Sequence, residues 1–187
     1  MKKDILKITL LFCLAIIGCT DSNNSPAKIT AEFDSINLPD SELRIAQIKF
    51  YKKGNMTSEI LADKIVKFDD EDSTLAYTLD IKILDSLGTA TTTITGDSGI
   101  IKEVQGAVQI YGNVVVRTED STKLETEYLW WNSYTNRIKS DAFVRITKHG
   151  DIISGWGLDA DNQLNSFKIL NQVSGEVTDP EKLESDK

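Results

Sequence analysis

From about Leu43 to Val177 the chain alternates apolar and polar residues with a period of two. Leu79, Ile81 and Ile83 alternate with Asp80 and Lys82, and Val108 and Ile110 flank Gln109. Val114 and Val116 flank Val115, and Ala142, Val144 and Ile146 alternate with Phe143, Arg145 and Thr147. Phe167, Ile169 and Val173 keep the same phase, with Asn171 between them. This period predicts strands with one buried face. Thr89 to Thr95 is nearly all threonine, β-branched and suited to a strand. Thr57 to Phe68 is the one stretch with a competing helical pattern, through Ile60, Leu61, Ile65 and Phe68. Ser58, Ile60 and Ala62 fit a strand, and strand is favoured. Turns are expected at Lys53-Gly54-Asn55, Asp69-Asp70-Glu71-Asp72, Gly96-Asp97-Ser98-Gly99, Thr118-Glu119-Asp120-Ser121 and His149-Gly150-Asp151. A further turn through Ser133 to Asn136 is opened by Asn132.

A repeat runs through this pattern. Gly99-Ile100, Tyr128-Leu129 and Gly157-Leu158 recur at intervals of 29, and Asn113-Val114, Phe143-Val144 and Gln172-Val173 at 30 and 29. A copy around Glu59 to Leu84 is degenerate. Each unit reads as strand, turn, strand, so the units stack into a rolled or stacked β-structure, a jelly roll or a solenoid-like sandwich.

The N-terminus departs from the pattern. Lys2, Lys3 and Lys7 precede an apolar run from Ile8 to Ile17, and Gly18 precedes Cys19. Basic residues, a short apolar core and a small residue before the break are the order of a secretory signal. A break at cysteine resembles a bacterial lipoprotein signal, with residues 1–18 removed and Cys19 carrying the lipid. The apolar run is ten residues, ~15 Å as a helix and about half of a bilayer core, too short to span. Residues 19–40 then form the lipidated cysteine and a polar tether, 41–178 the β-domain, and 179–187 a polar tail.

Charge narrows the function classes. The net charge is −8, and the first 18 residues hold three lysines and one aspartate, so the chain from Cys19 onward sits near −10. Such a chain offers no electrostatic footprint for nucleic acid. Cys13 and Cys19 leave no pair for a disulfide in the β-domain. His149 is the one histidine and reads as a turn residue, so zinc and triad chemistry lack partners. Asp159 and Asp161 share a strand face, as paired carboxylates would, but no other polar group converges on them and solvated acids are the better reading. Asp69 to Asp72 lacks the glycine turn of a calcium loop, and no glycine-rich loop with a lysine is present for phosphate. No catalytic residue, metal or cofactor is expected.

The segment Leu124-Glu125-Thr126-Glu127-Tyr128-Leu129-Trp130-Trp131-Asn132 is followed by Ile138 to Ile146, then by Ser154-Gly155-Trp156-Gly157-Leu158-Asp159-Ala160-Asp161, then by Phe167 to Val177. In order and spacing this resembles the LptC family of lipopolysaccharide-export proteins. The likeness is strongest from Leu124 to Val177 and weaker back to Leu43. It implies an all-β fold, a twisted open β-jellyroll in the periplasm, which is not an enzyme. Such a protein accepts lipopolysaccharide from an inner-membrane ABC transporter and passes it to a soluble β-jellyroll bridge protein. One departure stands out: many members are held by an N-terminal membrane helix, whereas here the anchor reads as a lipid on Cys19 at the periplasmic face of the inner membrane.

On the resemblance, the inward residues Leu79, Ile81, Ile83, Val108, Ile110, Val114, Val116, Val144, Ile146, Phe167 and Ile169 become candidates for lining a lipid cavity; in any sandwich they would be core. An open sheet has free edges that can accept a partner strand. The last strand, with Ile169, Asn171, Val173 and Gly175, is expected to dock the bridge protein, and the first, about Leu43 to Tyr51, to meet the membrane complex. Of Trp130 and Trp131, adjacent and so on opposite faces, one is expected in the core and the other at an edge or cavity mouth. Gly155 and Gly157 suggest a bulge or a close backbone approach. Two rival readings are a β-repeat scaffold or adhesin lipoprotein with a closed, dry core, and a carrier for lipoproteins.

Overall fold

A computed structural model describes residues 39–68 and 73–176. Nine strands follow in chain order: β1 (Ser41–Lys52), β2 (Asn55–Lys67), β3 (Thr74–Leu84), β4 (Ala90–Lys102), β5 (Ala107–Thr118), β6 (Lys123–Asn132), β7 (Arg137–Lys148), β8 (Asp151–Asp161) and β9 (Phe167–Glu176). They form one sheet in which each strand pairs antiparallel with the next. β1 and β9 are its two edges, each with one strand neighbour. The fold is the open all-β roll expected, and residues 57–67 are strand rather than helix. Cys19, the signal, most of the tether, the polar tail and Asp69 to Asp72 lie outside the described residues.

The strands run ten to thirteen residues, about twice the usual length, and each is interrupted near its middle. Ile45, Thr78, Asn113 and Gln172 sit at φ of 56°, 55°, 46° and 50°, and Gly112 and Gly157 at 75° and 78°. From β4 onward every pairing also shifts register near mid-strand. For β-branched Ile45 and Thr78 a left-handed backbone costs on the order of 1–3 kcal/mol, so the surrounding ladder must impose it. These interruptions form a crease. The half-strands on one side run to the turns at Lys53-Gly54, 85–89, 119–122 and His149-Gly150; those on the other run to 103–106, 133–136 and 162–166. The two sets of half-strands become two layers facing each other.

Contacts across the roll join them. Phe50 on β1 packs against Trp131 on β6, and Thr92 Oγ1 on β4 donates to Asn162 O after β8 at 2.8 Å. One apolar cluster draws on both layers, from Ile60 through Trp131 to Leu164.

Two expectations are corrected by the crease. Gly96 to Gly99 was expected to be a turn but lies inside β4; its glycines serve close approach, because a Cβ at Gly96 would run into Ile110 Cγ2 and one at Gly99 would stand 2.6 Å from Gln109 O. The turn that follows β4 is at 103–106. The alternation Phe167, Ile169, Val173 stops at Gln172, where the register against β8 shifts, and Val173 is 60% exposed. The same crease offsets the repeat by one place: the 29-residue spacing equates Ile100 with Leu129 and Leu158, yet Gly99 is the residue that pairs with Ile110, itself opposite Leu129.

The other expected turns that fall among the described residues are present. Lys53 and Gly54 have φ of 52° and 86°, and His149 and Gly150 51° and 94°, the two-residue geometry that suits the twist of a hairpin. Asn132 Oδ1 accepts from the N–H of Tyr134 at 3.0 Å and of Thr135 at 2.9 Å, which closes the turn to β7.

Candidate functional site

The register fixes which side chains share a row on the inner face. In one layer, successive partners are Ile48, Ile60, Ile81, Ile94, Val116, Leu124, Ile146, Ile153 and Gly175, one from each strand. In the other they are Leu43, Ile65, Ala76, Gly99, Ile110 and Leu129 from β1 to β6, and Ser140, Leu158 and Ile169 from β7 to β9. β-branched side chains dominate the first row because they pack well on a pleated, half-buried surface.

Burial along these rows is not uniform. The isoleucine row is closed from Ile60 to Ile146, opens to half-burial at Ile153, and ends on exposed Gly175. The second row is closed from Ala76 to Leu158 and opens the other way, through half-buried Ile65 to Leu43, 56% exposed. The layers are thus offset: one overhangs at β8–β9, the other at β1–β2. At β1–β2 the overhang is Leu43 and Ile65, the latter packed against the core, and at β8–β9 it is Ile153, paired with buried Ile146.

The eleven candidate lining residues all lie on the inner face. Leu79, Ile81, Ile83, Val108, Ile110, Val114, Val116, Val144 and Ile146 are buried in the cluster, and Phe167 and Ile169 pack partly against it. The structure brings them together as a closed interior; the openings are at Ile153 and Leu43, which the alternation did not single out. The four edge candidates are on β9. Ile169 is half-buried on the inner face, and Asn171, Val173 and Gly175 are exposed.

The inner face carries few polar side chains, and most are bonded. Thr126 Oγ1 donates to Phe143 O at 2.8 Å, and Ser140 Oγ accepts from Ala142 N at 3.1 Å. Asp159 and Asp161 are engaged structurally. Asp159 pairs with Arg137 and lies 3.8 Å from Lys139 Nζ. Asp161 accepts from the N–H groups of Gln163, Asn165 and Ser166 and so shapes the β8–β9 turn. His149 is exposed in its turn. Trp131 is the core tryptophan, 1% exposed, and Trp130 faces outward under Lys139 Nζ. Gly155 and Gly157 both prove special: a Cβ at 155 would stand 2.7 Å from Asn171 O, and Gly157 has φ of 78°. Among the described residues no cluster of metal-ligating side chains occurs, and no helix is long and apolar enough to cross a membrane.

The geometry has counterparts among known proteins. A crystal structure of LptH from Pseudomonas aeruginosa, described as the LptA-homologous periplasmic component of the conserved lipopolysaccharide transport device, is similar at a TM-score of 0.52 and 12% identity, over 65% of this chain and 95% of that one. At that identity the likeness concerns the fold. No curated protein matches the sequence. A family model described as lipopolysaccharide-assembly, LptC-related, matches residues 8–178. With nearly the whole chain matched, this protein belongs to the LptC-related family of lipopolysaccharide-assembly proteins.

Proposed function

We propose that this protein is a membrane-anchored periplasmic component of lipopolysaccharide export. It takes the lipid from an inner-membrane ABC transporter and passes it to a soluble β-jellyroll bridge protein, with Cys19 as its lipid anchor. The observation that carries this reading is the diagonal opening of the inner rows, at Leu43 and Ile65 on one side and at Ile153 on the other, with the buried core between them. Acyl chains need an apolar trough, and a trough used for handover needs an entrance and an exit. β1 lies beside the first and β9 beside the second, so a strand added to either edge would extend the trough as well as the sheet.

Family membership and the neighbour's fold support the reading. The test is photocrosslinking in cells that make lipopolysaccharide, with the reactive residue at Ile153 and, as control, at Ser154. These are neighbours on opposite faces of β8. Lipopolysaccharide adducts at 153 and not at 154 are expected. Equal labelling at both would mean only membrane proximity. Absence of adducts at either in folded, exported protein would favour the scaffold lipoprotein.

A further inference from the structure

The outer surfaces of the two layers differ. On the layer of the isoleucine row, the outward partners run Lys49, Glu59, Lys82, Thr93, Arg117 and Lys123, the polar face expected where an antiparallel sheet meets water. On the other layer they run Val66, Leu75, Ile100, Gln109 and Trp130, from β2 to β6. Tyr77 and Tyr111 continue this surface at the crease, joined in register through Ser98 and 40% and 38% exposed. Leu75, Ile100 and Trp130 are half-buried, and none of them belongs to the interior cluster. This layer is thus apolar on both sides, and its outer apolar surface spans four strand spacings, ~19 Å. A contiguous exposed apolar surface marks an interaction site.

Two observations bear on what covers it. The first is the rim. Lys64 Nζ lies 4.6 Å from the centre of the Tyr77 ring, and Lys139 Nζ 5.9 Å from that of Trp130. The two carboxylates on the row, Glu42 beyond Val66 and Asp159 beyond Lys139, are paired with Arg44 and Arg137. Tyrosine and tryptophan rings with polar tips, flanked by lysines whose stems can lie along apolar surface, are the composition of a membrane–water interface. The second is where the chain enters. The N–H of Asp40 donates to Lys67 O at 3.0 Å, and Glu42 stands opposite Val66. The chain therefore reaches the β-domain at a corner of this surface and not of the polar one. Cys19 precedes Pro39 by twenty residues, ~70 Å at full extension, so a lipid on Cys19 would tether a bilayer to that corner. We propose that the outer face of β2 to β6 lies against the bilayer interface, through Leu75, Ile100, Trp130 and the two tyrosines. The proposal rests on the anchor at Cys19, and it leaves the inner rows free for cargo.

The test is lipid quenching on the full-length protein in vesicles of phosphatidylethanolamine and phosphatidylglycerol. A genetically encoded fluorescent residue replaces Ile100 or, as control, Thr93. Both positions point outward from β4, one on each layer. A nitroxide on the lipid headgroup should quench position 100 several-fold more than position 93, and Leu75→Asp should abolish the difference. Flotation with the vesicles reads the anchor separately. Protein that floats but is quenched equally, or not at all, at the two positions overturns this proposal and leaves the anchor standing. Protein that does not float overturns the anchor and this proposal with it. Shielding of position 100 from aqueous iodide without nitroxide quenching would mean that another protein or a second copy covers the face, which also overturns it. If the replacement at Ile100 prevents folding, native Trp130 is read instead, as the quenching that disappears in Trp130→Phe.

Discussion

Phe50 and Trp131 meet edge to face, with ring centroids 6.4 Å apart and planes at 85°, although β1 and β6 are far apart in the sheet order. The pair ties edge strand β1 to the opposite layer. Phe50 is half-buried, so Phe50→Ala should lower stability by about 2–4 kcal/mol, somewhat less than the ~3–5 kcal/mol for a fully buried aromatic. Truncating Trp156, which forms the exposed pair with Phe143 at 5.8 Å, should cost no more than about 1 kcal/mol. Urea midpoints at constant slope measure both. Equal losses would mean that Phe50 does not join the layers.

Position along the isoleucine row should separate stability from cargo. Ile81 is fully buried, and Ile81→Ala should cost about 2–5 kcal/mol. Ile153 is half-buried at the open end, so Ile153→Ala should cost about 1 kcal/mol or less and instead reduce lipopolysaccharide cross-linking from neighbouring positions. Thermal melts and adduct yield, run side by side, check the contrast.

Val173 on β9 is 60% exposed and touches the open edge. Val173→Asp should leave stability within about 0.5 kcal/mol of the parent while abolishing capture of the bridge protein by a cross-linker at Gly175. Retained capture would place the docking edge elsewhere, with β1 the next candidate.

Gly155 tests how β9 is held. An alanine methyl there would stand 2.6 Å from Ile169 Cγ2 and 2.7 Å from Asn171 O, and a backbone oxygen cannot swing aside. Gly155→Ala should speed amide exchange across β9 and leave β3 to β6 unchanged. Uniformly faster exchange would show instead that β9 is integral to global stability.

Asp120, in the β5–β6 turn, accepts from the hydroxyl of Thr118 and from the N–H and hydroxyl of Thr122, with Lys148 Nζ at 3.3 Å. The Thr118 hydroxyl foremost, then Thr122, holds its carboxyl well below the ordinary value of 3.8. A depressed folded-state pKa adds stability above 3.8 that fades as pH falls from there toward the folded value. Asp120→Ala should be less stable at neutral pH, and its deficit should shrink as pH drops below about 4. The group is exposed, so the neutral-pH loss should be under about 1 kcal/mol. pH-dependent urea melts of the two proteins give the comparison.

Alternation alone was enough to find the strands, because half-buried strands write their burial into every second residue; Leu79, Ile81 and Ile83 are a plain instance. The crease was far less legible. Ile45, Thr78 and Gln172 adopt left-handed conformations that their side chains disfavour, so local sequence points away from the bend that the surrounding ladder imposes. Gly155 and Gly157 were the visible traces of it, while Gly96 to Gly99 imitated a turn. The open ends were hidden for a related reason: exposure at Ile153 and Leu43 arises from the offset of the layers, which depends on nine strands at once.

Pairing each strand only with its sequence neighbours has a consequence for how such a protein can change length. β5, β7 and β9 begin at Ala107, Arg137 and Phe167, thirty residues apart, so one duplication of that unit inserts a complete hairpin without rewiring any other pairing. Each added hairpin would lengthen the apolar path by two strand spacings, ~10 Å, and would present the same kind of edge as before. A molecule built this way can be lengthened or shortened by counting hairpins.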